Sequence, residues 1–276
     1  MTSQAPEPIS RVRPSAWRSG GLRARERSIP EETAVALTYN RVTHAVMMAT
    51  PSDLEDFAVG FSLSEGIIAA ASEIETLEVL PCDAGIELRM WISVPTNNAF
   101  TERRRHLAGP TGCGLCGLES LEQATRPPPV VKSDLRLSAE SIRSAIRSLP
   151  AAQRLNQEVH AVHAAAFWHG TRGLLALRED VGRHNAVDKL AGALARSGTS
   201  AEGGIVLLTS RVSVEMVQKA AVMGTSIVVA VSAPTALAVR TAEAANITLA
   251  AIARDDGFEI FTHPRRIDIR AAAHVA

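Results

Sequence analysis

The sequence predicts an α+β unit followed by an α/β domain, and three observations carry that prediction. Apolar residues alternate with period two on both sides of one apolar helical stretch between Thr33 and Val94. The run Arg126-Pro127-Pro128-Pro129 forms a stiff boundary. From Ile205 onward, short apolar runs alternate with helical patterns, as in a parallel sheet with crossover helices. The resulting division is a flexible basic arm over 1–28, a small α+β domain over 29–106, a glycine-rich loop and proline linker over 107–133, and the α/β domain over 134–276.

Composition narrows the function classes before any motif is considered. The chain is 46% apolar and 21% charged, as expected of a globular protein with a real core. Lys plus Arg and Asp plus Glu both number 29, so no net positive field recruits nucleic acid or anionic lipid. The most apolar run, Ile227 to Val239, is broken by Ser232, Pro234 and Thr235, which argues against membrane spanning. Three cysteines and no secretory signal point to a cytoplasmic, reducing location.

The arm carries Arg11, Arg13, Arg18, Arg23, Arg25 and Arg27 against Glu7 and Glu26, with apolar residues too scattered to pack. Next come two strands, Thr33 to Tyr39 and Val42 to Met48, with a turn at Asn40-Arg41. Ser52-x-x-Glu55 has the form of a capping box, and Leu54, Phe57, Ala58 and Phe61 make one helical face that Gly66 ends. Ile74 to Leu80 and Ile86 to Val94 read as further strands. Beyond the prolines, Leu135 to Leu149 is an amphipathic helix stopped by Pro150. A hairpin follows around Gly170 to Gly173. The last elements are strands at 205–208, 227–231 and 247–252, with helices at 212–223 and 235–245 between them.

Two polar stretches stand out. Thr111-Gly112-Cys113-Gly114-Leu115-Cys116-Gly117 sets two thiols in a loop whose glycines oppose regular structure. Arg103, Arg104, Arg105 and His106 lie upstream, where positive charge favours a thiolate. The motif alone admits reactive thiols, a zinc half-site or a pair without a role, although no second Cys-x-x-Cys completes a zinc site. Glu179-Asp180-Val181-Gly182-Arg183-His184-Asn185-Ala186-Val187-Asp188-Lys189 falls on a strand-to-helix turn, where free N–H groups and Arg183 suit an anion and Asp180 or Asp188 suits a purine edge. The strand ends also carry Ser210-Arg211, Ser232-Ala233-Pro234-Thr235 and Arg254-Asp255-Asp256, where α/β sheets take ligands.

Five segments, in this order, resemble the FdhD family of formate dehydrogenase accessory sulfurtransferases: Thr50 through Gly66, the loop at Cys113 to Cys116, Glu179 to Lys189, Arg211-x-Ser213-x-Glu215-Met216-Val217-Gln218-Lys219, and Ser232-Ala233-Pro234. The resemblance implies a sulfur carrier that receives persulfide sulfur from a cysteine desulfurase and passes it to the molybdenum of bis(molybdopterin guanine dinucleotide), activating formate dehydrogenase. It implies a homodimer, and a three-layer C-terminal domain similar in fold to cytidine deaminases. Carried over by motif, Cys113 is the persulfide position and Cys116 its partner, while Ile252, Ala253, Arg254, Asp255, Asp256 and Gly257 match the cofactor-binding stretch. Arg183, His184 and Arg211 are the further candidate cofactor contacts, and no tightly bound metal is expected. The chain departs from the family pattern at Ala49, at Gln157 to His163 and around Arg211, where Ser210 and Val214 replace a Gly and a Ser. Two other readings are a zinc-dependent nucleotide hydrolase of deaminase type and a cofactor-delivery chaperone without chemistry of its own. The hydrolase lacks its H-x-E and P-C-x-x-C ligands.

Overall fold

A computed structural model describes residues 4–97 and 127–269. The strands expected early in the chain are present as β5 (Thr33–Tyr39), β6 (Val42–Ala49), β7 (Ile74–Cys82) and β8 (Gly85–Ile92), in the sheet order β6-β5-β8-β7. Asn40 and Arg41 make the tight turn with φ of 46° and 70°, the left-handed pair that matches hairpin twist. In β8 every second residue is buried, so Ile86, Leu88, Met90 and Ile92 line one face. Helix α1 (Leu54–Ser64) lies on that face through Leu54, Phe57, Ala58 and Phe61.

The capping box expected at Ser52 does not form. Asp53 precedes α1 in a left-handed conformation with φ 51° and no side-chain cap, while Glu55 reaches Arg196 instead. A tertiary ion pair has taken the carboxylate that local geometry assigned to the helix start.

The flexible arm is also corrected. Residues 9–30 form a ribbon in which β1 (Ile9–Val12) pairs with β4 (Arg27–Pro30) and β2 (Ser15–Arg18) with β3 (Gly21–Ala24), all antiparallel. The apolar residues are too few for a core, but ladder hydrogen bonds satisfy the backbone without one. The ribbon is anchored at its base, where Glu31 N–H donates to Pro8 C=O at 2.9 Å and Ser28 Oγ donates to Glu158 at 2.8 Å.

The C-terminal part is a six-stranded mixed sheet with helices on both faces. Its strands are β10 (His163–His169), β11 (Gly173–Asp180), β12 (Gly204–Leu208), β13 (Ile227–Ala230), β14 (Thr248–Arg254) and β15 (Gly257–Ile260), ordered β11-β10-β12-β13-β14-β15. Only β12, β13 and β14 are mutually parallel. Along each strand alternate residues enter two separate cores. Phe167, Val206, Val228 and Leu249 pack under α4 (Arg183–Arg196), α5 (Val214–Met223) and α6 (Ala236–Ala244). Trp168, Ile205, Ile227 and Ala250 pack against Ile142, Ala145, Ile146 and Leu149 of α2 (Ala139–Ala152).

Two local expectations shift here. Helix α2 begins at Ala139, capped by Ser138, because Leu137–Ser138 is a short strand, β9, paired with β16 (Ile267–Asp268). It also continues past Pro150 to Ala152, since a proline in a last turn forfeits only one hydrogen bond. A short helix that the sequence reading lacked, α3 (Arg154–Val159), follows it.

The two parts meet where α1 crosses α4. A Cβ on Gly60 would lie 1.7 Å from Asp188 O, and one on Gly192 would lie 1.9 Å from Asp56 O, so the helix backbones touch. Asp56, buried at this crossing, accepts from Arg178 at 2.8 Å and Arg196 at 2.6 Å.

Candidate functional site

Beyond the carboxyl ends of the parallel strands lies a cavity of about 650 Å³. Thr209 follows β12, Val231 follows β13, and Ala253 to Asp256 close β14 against its floor. His163 at the start of β10 and Asn156 on α3 form the opposite wall. Thr209 ties two of these strands together, its Oγ1 accepting from Ala164 N–H at 2.8 Å.

The end of β14 is not a regular strand. Its pairing with β15 shifts register between Ala251 and Arg254, and Ile252 sits at φ 54°. A β-branched side chain rarely tolerates that conformation, so the segment carries strain of the kind found at ligand clamps. The irregular backbone turns the Arg254-Asp255-Asp256 corner onto the cavity. There the Arg254 guanidinium donates to the Val231 and Ala253 carbonyls, and Asp255 C=O accepts from Arg143 Nε at 2.8 Å. Among the described residues neither the Asp255 nor the Asp256 carboxylate joins an ion pair, so both remain available as acceptors.

The polar stretch at Glu179 to Lys189 divides into two groups. Most of it is structural, which corrects the purine-edge role considered for Asp180 and Asp188. Glu179 accepts from Leu155 and Asn156 N–H, both at 2.8 Å, and so caps α3 beside the cavity. Asp180 is fully buried, 2.6 Å from Lys189, and also accepts from Thr50 N–H, Gly182 N–H and Asn185 Nδ2. Asp188 pairs with Lys219 at 2.7 Å. An aspartate bound this fully has no capacity left for a ligand.

Arg183 and His184 form the second group, on the first turn of α4. Among the described residues, the buried Arg183 Nε has no hydrogen-bond partner. Burial, reinforced by the Arg183 charge, pushes the His184 imidazole down to about 4. Burial and the same arginine also lower His163, against the pull of Asp180. Both rings are therefore neutral near pH 7 and offer one donor and one acceptor each.

The expected site residues are thus only partly gathered. Ala253, Arg254, Asp255 and Asp256 line the cavity, and Ile252 and Gly257 flank them. Arg183 is electrostatically coupled to His163 on the cavity wall. Arg211 is exposed beyond β12 and is not among the lining side chains. Cys113, Cys116 and the cluster Arg103 to His106 lie outside the described residues. The sequence reading missed Asn156 and Thr209 as lining residues. Asn156 sits on the helix it lacked, and Thr209 was one residue before the Ser210-Arg211 pair it singled out.

A mixed sheet covered on both faces, with a polar cavity where its parallel strands end, places the molecule among α/β proteins whose site is assembled from strand-end loops. A sequence model of the FdhD/NarQ family matches residues 30–268, and the chain belongs to that family. It is 53% identical over 258 residues to the sulfur carrier protein FdhD of Agrobacterium fabrum, covering 93% of this chain and 95% of that one. It is 50% identical over 258 residues to the protein of the same name from Cupriavidus necator, covering 94% and 90% of the two chains. Among solved structures it resembles a putative formate dehydrogenase accessory protein from Desulfotalea psychrophila, with a TM-score of 0.73 and 28% identity over 94% of this chain and 99% of that one. Among the described residues no helix is long and apolar enough to cross a membrane.

Proposed function

We propose that this chain is a sulfur carrier that loads a persulfide on Cys113 and delivers the sulfur to the molybdenum of bis(molybdopterin guanine dinucleotide) for a formate dehydrogenase. The relatives' names support the carrier role. The observation that carries the cofactor half is the cavity bordered by Ala253 to Asp256. A guanine edge presents adjacent N–H donors, which suit the two unpaired carboxylates, and Arg254 and Arg183 supply charge for a pyrophosphate. On this reading the cofactor is cargo, and the C-terminal domain, similar in fold to cytidine deaminases, holds its nucleotide ends in a homodimer.

The loading step balances without an external oxidant. The Cys113 thiolate attacks the sulfane sulfur of a cysteine desulfurase persulfide. A new S–S bond forms on Cys113 while the desulfurase cysteine leaves as thiolate. Cys116, three residues on, is the partner thiol. Its attack on the Cys113 persulfide would expel sulfide and leave a disulfide, so delivery requires that it be held off the sulfur until cofactor is engaged. Thiol-trapping mass spectrometry after incubation with desulfurase and cysteine tests the assignment. Cys113→Ala is expected to abolish loading and dehydrogenase activation, while Cys116→Ala still loads but delivers less. Loading that survives only in Cys113→Ala would reverse the roles. Full activation by the double variant would leave the chaperone reading in its place.

A further inference from the structure

At the opposite end of the sheet, where β13 and β14 begin, a second cavity of about 460 Å³ is lined by Lys132, Arg136, Arg265 and Arg266 together with Asp134 and Asn246. Thr248 opens β14 on this side and Arg254 closes it on the other. Six steps of about 3.3 Å therefore set the two cavities about 20 Å apart.

Four cations face one carboxylate here. Among the described residues, Lys132, Arg136, Arg265 and Arg266 form no ion pair, and Asp134 forms none either. Arg266 is the unusual member, because its side chain is buried, with the residue only 3% exposed. A guanidinium removed from water normally gains a carboxylate or short hydrogen bonds in exchange. This one reaches Ser133 C=O through Nε and Nη2 and Thr248 Oγ1 through Nη1, all at 3.4 Å, the outer limit of a hydrogen bond. Burial and the neighbouring Arg265 charge both lower its pKa, the direction that an anion would reverse. Asn246, held at φ 57°, spends its amide on the walls, donating to Val131 C=O and accepting from Arg265 at 2.8 Å.

We infer that this cavity is a second ligand site, for a small phosphate-bearing anion, with Arg266 at its base and Lys132, Arg136 and Arg265 around its rim. Arginine forks match phosphate oxygens in pairs, and a diphosphate or phosphomonoester dianion offsets most of the local excess of positive charge. A small ligand fits better than an acidic protein surface, because the deepest cation is almost fully enclosed and a partner's side chain would meet only the rim. The site stands apart from the cofactor cavity and does not depend on the sulfur-carrier reading.

Inorganic pyrophosphate is the probe, titrated by calorimetry into full-length protein carrying Arg254→Ala, so that the cavity at the other end of the sheet is disabled. One pyrophosphate per chain is expected, with an affinity that weakens as salt rises. Adding Lys132→Gln and Arg136→Gln, both exposed and, among the described residues, without a side-chain hydrogen bond, should weaken it more than tenfold while near-ultraviolet circular dichroism stays unchanged. Arg265→Gln should do the same. Absence of pyrophosphate binding in the Arg254→Ala protein, or binding indifferent to the rim substitutions, would overturn the site.

Discussion

Among the described residues, Ile252 holds a conformation otherwise left to glycine, asparagine, aspartate, histidine and one turn arginine. Such a residue costs on the order of 1–3 kcal/mol and persists only when its surroundings over-determine it. Here those surroundings are Ser232 C=O, which accepts from Ile252 N–H at 3.3 Å, and the bulge against β15. Ile252→Gly relieves the strain but adds freedom to the unfolded chain, so stability measured in urea should stay within about 1 kcal/mol of the parent. Affinity for guanosine diphosphate should fall several-fold, because the Arg254 to Asp256 corner is no longer pre-set. A loss of several kcal/mol in stability would mean that the backbone there is not strained. The residue was legible in the sequence as part of a candidate binding stretch, but its left-handed backbone was not. Nothing about an isoleucine announces φ above zero, since only the bulge and the turn beside it demand that angle.

Helices α1 and α4 show the same limit at the scale of elements. Their apolar faces are readable from spacing, and both appear close to where the pattern puts them. Intrinsic propensity says that alanine for glycine inside a helix gains up to about 1 kcal/mol. At Gly60 and Gly192 the sign reverses, because the new methyl would enter the opposing backbone at 1.7 Å and 1.9 Å. Neither helix can yield without disturbing Asp56 and its two arginines. Gly60→Ala and Gly192→Ala should each destabilise by more than about 3 kcal/mol in chemical denaturation. Their double variant should cost less than the sum, since one separation of the helices accommodates both methyls. A stabilised single variant would show that the crossing is loose. The lost capping box belongs here too. Glu55 had an adequate local partner in sequence, and the approach of Arg196 from α4 outcompeted it.

Across the whole molecule, the two hydrophobic cores of the C-terminal sheet and the core beneath the N-terminal sheet are separate clusters. Buried charge joins them. Asp180 at the end of β11 and Lys189 on α4 both bind the backbone of Thr50, through its N–H at 3.0 Å and its C=O at 2.9 Å. Asn185 adds a bond to Met48 C=O at 2.8 Å. Asp180→Ala leaves an unpaired buried ammonium and two orphaned backbone donors, and should cost about 3–5 kcal/mol in denaturant unfolding. A loss below about 1 kcal/mol would mean that the junction is hydrated and the pairing incidental.

The sequence by itself determined the order and type of most elements and the family, and it put its candidate ligand residues at the strand ends where a cavity opens. Each of these rests on periodicity, on turn chemistry, or on residues kept together along the chain. Tertiary structure decided which members of a polar run serve the fold and which are left open. Asp180, Asp188 and Lys189 look as available in sequence as Arg183 and His184, yet helix packing seals the first three into ion pairs. It also decided that the arginine-rich N-terminal segment is a paired ribbon. It brought Lys132 and Arg136 beside Arg265 and Arg266 from more than a hundred residues away. The physical reason is common to all of these cases. A charge costs little in water and several kcal/mol out of it, so its role is set by burial and partners, and both depend on segments remote in sequence.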